Sequence, residues 1–132
     1  MKNFTTLGRI LFALPFAVFG INHFVMKDYY IGMLTSFIPL GAYTIVLTGI
    51  MLIAASISII FEKFVKLSTI MLALLLFTFI VTIHLPHLFH HDAERTITLI
   101  ALLKDISLMG GAIMIAGIYS ENEAPDKKQN TK

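Results

Sequence analysis

The chain has 132 residues, of which 57% are hydrophobic and 14% charged, with a mean hydropathy of +0.83 and a net charge of +2. Soluble domains carry about 25% charged residues, so an ordinary water-soluble core is excluded, and so small a charge without a basic stripe argues against nucleic acid as a partner. Cysteine is absent, which removes disulfides, a CxxC redox centre and thiolate metal ligation from this chain.

A membrane-crossing helix needs roughly 20 mostly apolar residues. In chain order, four runs meet that need, at about residues 7–26, 40–61, 67–85 and 96–119. The first holds Arg9 near its start and Asn22-His23 near its end. Lys2 ahead of it gives the look of a signal peptide, but the length, the embedded Arg9 and the lack of an A-x-A site favour an uncleaved span. Residues 27–39 offer a re-entrant or interfacial turn. The second and third runs contain no charge, and the fourth contains Lys104-Asp105. Short connections make the later neighbours antiparallel. The expected fold is therefore an all-α, four-transmembrane-helix bundle over residues 1–119. The polar segment 120–132, with Pro125 and alternating charges, reads as a disordered tail. With no tryptophan, interfacial anchoring falls to Tyr29, Tyr30, Tyr43, Tyr119 and the phenylalanines.

Lysine and arginine placement orients the bundle. Four spans put Lys2, Lys63, Lys66, Lys127, Lys128 and Lys132 on one side, with Arg9 close by, and leave Lys27 and Arg95 on the other. Both termini are then expected in the cytoplasm. His23, His84, His87, His90 and His91 all fall at the outer ends of spans, beside Asn22, Asp92 and Glu94.

Side chains lean toward the N-terminus of their own helix. The fourth span starts outside, so Lys104 and Asp105 lean outward from about 12–14 Å below its start, at 1.5 Å per residue. The first and third spans run outward, so His23 and His84 lean inward to meet them. The candidate ligand-binding or proton-relay set is Asn22, His23, His84, Lys104 and Asp105. Ionisable groups at membrane depth are expensive and point to function. The structural alternative is a network in which Asp105 bonds His84 or Asn22 while Lys104 snorkels outward. Adjacent helical residues point about 100° apart, so Lys104 and Asp105 need not pair with each other.

His84, His87, His90 and His91 have the spacing of a loose imidazole cluster, suited to Zn, Cu, Ni or Fe. Pro86 disturbs that geometry and no H-E-x-x-H motif is present, so metal rests on composition alone. A haem on His23 and His84 is disfavoured, because two axial histidines do not make a haem pocket. Arg9 reads as snorkelling to lipid phosphate. Gly20, Gly49, Gly110, Gly111 and Gly117 read as close-packing positions, and Pro15 and Pro86 as kinks.

Three segments carry a family resemblance: Arg9 to Phe24, ending Gly20-Ile21-Asn22-His23-Phe24; Ile83-His84-Leu85-Pro86; and Lys104-Asp105-Ile106-Ser107-Leu108-Met109-Gly110-Gly111. In these, and in span lengths over about residues 4–119, the chain resembles the DoxX family of small four-span bacterial membrane proteins. The resemblance implies association with quinone-dependent thiosulfate oxidation or with membrane oxidoreductase complexes that handle oxidative stress. Many members have no assigned activity, and the subtype closest to this pattern is one of those. Quinone-linked relatives in the broader four-helix group use cysteines, which this chain lacks. The leading expectation is a redox-associated subunit with a quinone or small-ligand pocket in the outer half of the bundle. It would contact lipid and either a partner oxidoreductase subunit or further copies of itself. A carrier of a small solute or of protons, and a scaffold for a partner protein, remain as alternatives.

Overall fold

The computed structural model describes residues 2–34, 41–89 and 95–122. Every described element is helical. α1 (Lys2–Val25) is followed by the short α2 (Lys27–Met33), then α3 (Ala42–Ile60) and α4 (Val65–Phe79). α4 runs through a π turn (Ile80–His84) into α5 (Leu85–Phe89), and α6 (Arg95–Asn122) closes the chain. Four of these stretches, Asn3–Val25, Ala42–Ile60, Val65–Phe89 and Arg95–Ser120, are long and apolar enough to cross a membrane. The protein is a four-helix, multi-pass membrane bundle. α6 continues three residues past the expected end of its span, and the expected disordered tail otherwise falls on residues 123–132, outside the described residues.

The distribution of polarity is inverted relative to a soluble bundle. Leu7, Leu11, Leu14, Val18 and Ile21 are exposed along α1 at helical spacing, as are Ile100, Leu103, Ile106 and Ile113 along α6. Arg9, His23, Thr48, Ser56, Thr69 and Asp105 are buried. In water such an outer surface would be a large apolar patch; against lipid it costs nothing, while the buried polar groups need internal partners. Ser56 and Thr69 find them: Ser56 Oγ donates to the Ala13 carbonyl at 2.8 Å across the α1–α3 interface, and Thr69 Oγ1 to the Val65 carbonyl at 2.8 Å.

α1 packs along α3, α3 on α4, and α4 on α6. Ala13, Phe16, Leu52, Ala55, Ile59, Val65, Leu72 and Leu76 form the shared core. α1 and α3 touch backbone to backbone at Gly20 and Gly49. A Cβ at Gly20 would lie 2.8 Å from the Gly49 carbonyl oxygen, and one at Gly49 would lie 3.0 Å from that of Gly20. Gly111 receives the Phe12 ring, which a Cβ would meet at 2.9 Å. Gly110 and Gly117 face open space instead, so only three of the five expected close-packing glycines serve that purpose.

The α3–α4 turn is tight, and Glu62 and Phe64 both adopt the left-handed conformation at φ 57°. That backbone is unfavourable for a residue with a Cβ, and Glu62 is held in it by contacts from two other helices. Arg9 Nη1 lies 2.7 Å from Glu62 Oε1, and Tyr119 Oη donates to the same oxygen at 2.9 Å. Arg9 thus does not snorkel to lipid as expected. Its guanidinium is buried and meets the exposed carboxylate of the α3–α4 turn at the bundle's end. The contact is an ion pair by distance without hydrogen-bond alignment, and Nε and Nη1 have no hydrogen-bond partner among the described residues. The same contacts put the start of α1, the α3–α4 turn and the end of α6 at one end of the bundle.

Candidate ligand site

The other end holds the histidines. α1 stops at Val25, and α2 then folds back so that Tyr30 stacks on His23, with centroids 4.2 Å apart and planes 11° from parallel. This short helix occupies part of the stretch expected to form a re-entrant or interfacial turn; residues 35–40 lie outside the described residues. The Tyr30 phenol is raised above its ordinary pKa by burial, and secondarily by Tyr29 beside it. It therefore stays protonated and able to donate.

His23 is buried, and its Nδ1–H donates to the Phe19 carbonyl one turn back, at 2.7 Å. That bond fixes the tautomer of the neutral ring: Nε2 carries the lone pair and is an acceptor.

The π turn sets His84. Leu85 N–H bonds to the Ile80 carbonyl, a five-residue step, directly before Pro86, which has no N–H to offer. The helix accommodates Pro86 by widening and continues to Phe89. His84 then points across to α6, where its Nε2–H donates to Asp105 Oδ2 at 2.9 Å. Lys104 Nζ reaches the other carboxylate oxygen, Oδ1, at 3.3 Å. The two residues point apart on the helix and need not pair, but the four-carbon lysine arm spans the difference and brings the ammonium back to its neighbour. The ammonium also sits 4.7 Å above the centre of the Phe19 ring, a cation–π contact strengthened by the apolar surroundings. Asp105 is buried and its charge is answered on both oxygens, as a carboxylate at this depth requires.

Phe19 joins the two halves: its carbonyl holds His23 and its ring holds Lys104. Phe19 and Tyr30 were not among the site residues expected from the sequence, where Tyr30 reads only as an interfacial anchor. Phe19 was legible as the residue one helical turn before His23, whereas Tyr30 is separated from it by a helix break that periodicity does not cross.

These groups border a cavity of about 560 Å³. His23, His84, Lys104 and Asp105 all line it, with Tyr30, Thr44, Thr48, Thr78 and Thr82 as further polar groups and otherwise aliphatic and phenylalanine side chains. Asn22 is half-buried but is not part of the wall. Leu47 of α3 and Thr78 of α4 line the cavity and are also exposed, so it opens sideways between those helices. Toward the Arg9 end it is floored by the packed layer of Phe16, Leu52 and Leu76.

His87 does not join this group, since its Nδ1–H donates to the Ile83 carbonyl at 2.8 Å within its own helix. His90 and His91 lie outside the described residues. Among the described residues no three His, Asp or Glu side chains are gathered as a metal site. No protein-family model, curated protein or solved structure matches the chain.

Proposed function

We propose that this protein binds a quinone, or a small amphiphile with a similar headgroup, in the cavity between α1, α3, α4 and α6. One observation carries this reading: a largely apolar cavity of about 560 Å³ has a lysine, a carboxylate and two histidines on its wall and opens toward lipid. Small-molecule sites are of this size and kind, mostly apolar with a few convergent polar groups. A quinone carbonyl accepts a hydrogen bond from the Lys104 ammonium, which Asp105 and Phe19 hold in place. A quinol hydroxyl donates to His23 Nε2, which the Phe19 bond leaves as the ring's acceptor. His23 would take one of the two protons released when a bound quinol passes its two electrons to a partner redox protein, the other leaving to water.

This agrees with the resemblance to the DoxX family, and with it we propose a redox-associated subunit of the bacterial inner membrane, both termini cytoplasmic. The packed floor under the cavity favours binding over passage of a solute. The test is equilibrium binding of a benzoquinone to purified protein in lipid nanodiscs. Asp105→Asn removes the charge that holds Lys104, a half-exposed ion pair of about 0.2–1 kcal/mol. Affinity should therefore fall about 2- to 5-fold, with helix content unchanged by circular dichroism. Absence of binding by the unaltered protein, or equal affinity in the variant, refutes the proposal.

A further inference from the structure

The cavity does not end at the polar groups. A second, apolar recess of about 400 Å³ runs down the α3–α4 seam toward the turn that joins them, and Met51 and Leu75 line both. On α3 the bordering positions recur at helical spacing from Thr44 through Met51 to Ser58; on α4 they recur from Ser68 through Leu75 to Thr82. At 1.5 Å per residue, Thr44 to Ser58 spans about 21 Å along α3, most of the roughly 30 Å hydrocarbon thickness, with Met51 and Leu75 standing between the two recesses. Its lower end is closed by Ser68 Oγ donating to Ser58 Oγ at 2.6 Å. Leu67 and Met71, on the outer lip of the lower recess, are exposed, so this groove faces lipid along its length.

We infer that the ligand is a long-tailed amphiphile that enters sideways from the bilayer, its headgroup at Lys104 and His23 and its aliphatic tail past Met51 and Leu75 into the lower recess. The occupant is the tail of the same molecule, because the two spaces share their wall and the lower one offers only Ser58 and Ser68 as polar side chains. A water-soluble headgroup alone would leave the seam unfilled. This inference rests on the ligand-binding reading above and extends it to the class of ligand and its route.

Met51→Phe and Leu75→Phe narrow the junction without touching the polar wall. Two probes separate the effects: a tailless dimethoxy-methylbenzoquinone, and the same headgroup carrying a decyl tail, each titrated against protein in nanodiscs. With each probe's concentration counted in the lipid phase, the tailed probe should bind the unaltered protein at least about threefold tighter than the tailless one, because the tail gains packing contacts in the recess that fluid lipid does not give it. That advantage should largely disappear in both variants while tailless binding is kept. Equal loss of both probes or of neither overturns the tail route. Should the variants misfold, a photoreactive group at the tail end decides on the unaltered protein. Labelling of the 51–58 and 67–75 stretches supports the inference, and labelling of α1 or α6 overturns it. If neither probe binds the unaltered protein, the binding reading itself fails, an outcome distinct from failure of the route.

Discussion

Alanine at Gly20 gives the sharpest test of how the bundle is held together at the level of the site. The new Cβ would lie 2.6 Å from Ile53 Cγ1, 2.8 Å from the Gly49 carbonyl oxygen and 3.1 Å from the Ile53 amide nitrogen. The isoleucine side chain has some freedom to move, but the two backbone atoms do not. Ordinary contact begins at 3.4 Å, so α1 and α3 must separate by about 0.6 Å, enough to lose part of the dispersion attraction along the seam. Overpacking of this kind costs about 1–3 kcal/mol, offset by about 0.8–1.0 kcal/mol of gained helix propensity. Gly110→Ala is the matched control: its Cβ meets nothing within 4 Å, so only the propensity gain remains. The two variants should therefore differ by about 1–3 kcal/mol, or about 4–12 °C in thermal midpoint at roughly 4 °C per kcal/mol for a chain of this size. Thermal unfolding of both in the same detergent, followed by circular dichroism, measures it. Gly20→Ala as stable as Gly110→Ala would refute the close approach of α1 and α3. Because a Cβ at Gly49 would also sit 3.1 Å from the His23 Cβ, this contact sets how far His23 stands from α3.

Other expectations concern the two ends of the bundle and its orientation. Glu62→Ala takes the counter-charge from the buried Arg9 guanidinium; because the carboxylate itself is exposed, the loss of stability should be about 1–2 kcal/mol. Tyr119→Phe, which removes only an exposed hydrogen bond to the same carboxylate oxygen, should cost less than about 1 kcal/mol; the order of the two in a denaturant titration checks the ranking. Ser56→Ala removes a fully buried link to the Ala13 carbonyl and should cost about 0.6–1 kcal/mol by the same measurement. Since the chain has no cysteine, single replacements report topology without background. A membrane-impermeant thiol reagent applied to intact cells should label Lys27→Cys and spare Lys63→Cys, and the reverse pattern would invert the orientation drawn from the basic residues.

The sequence alone was enough for the class of fold. Runs of some twenty apolar residues admit little but transmembrane helices, because lipid offers no partner for an unpaired backbone. Helix direction and side-chain lean also brought His23, His84, Lys104 and Asp105 to one level of the bundle, and the structure has them on one cavity wall. The partners within that level were decided by tertiary contacts. Rotation of α6 about its axis determines that Asp105 meets His84 and not Asn22, and the length of the lysine arm lets Lys104 return to its neighbour across a 100° step. The π turn before Pro86, which aims His84, has no signal in an apolar run beyond the proline itself. Likewise nothing local distinguishes Gly111, filled by Phe12, from Gly110 in open space one position earlier. Arg9 shows the same limit most plainly: a basic residue near a span end looks like a snorkelling one. That it meets Glu62 depends on a turn more than fifty residues away in sequence and on the angle at which α1, the α3–α4 turn and α6 come together.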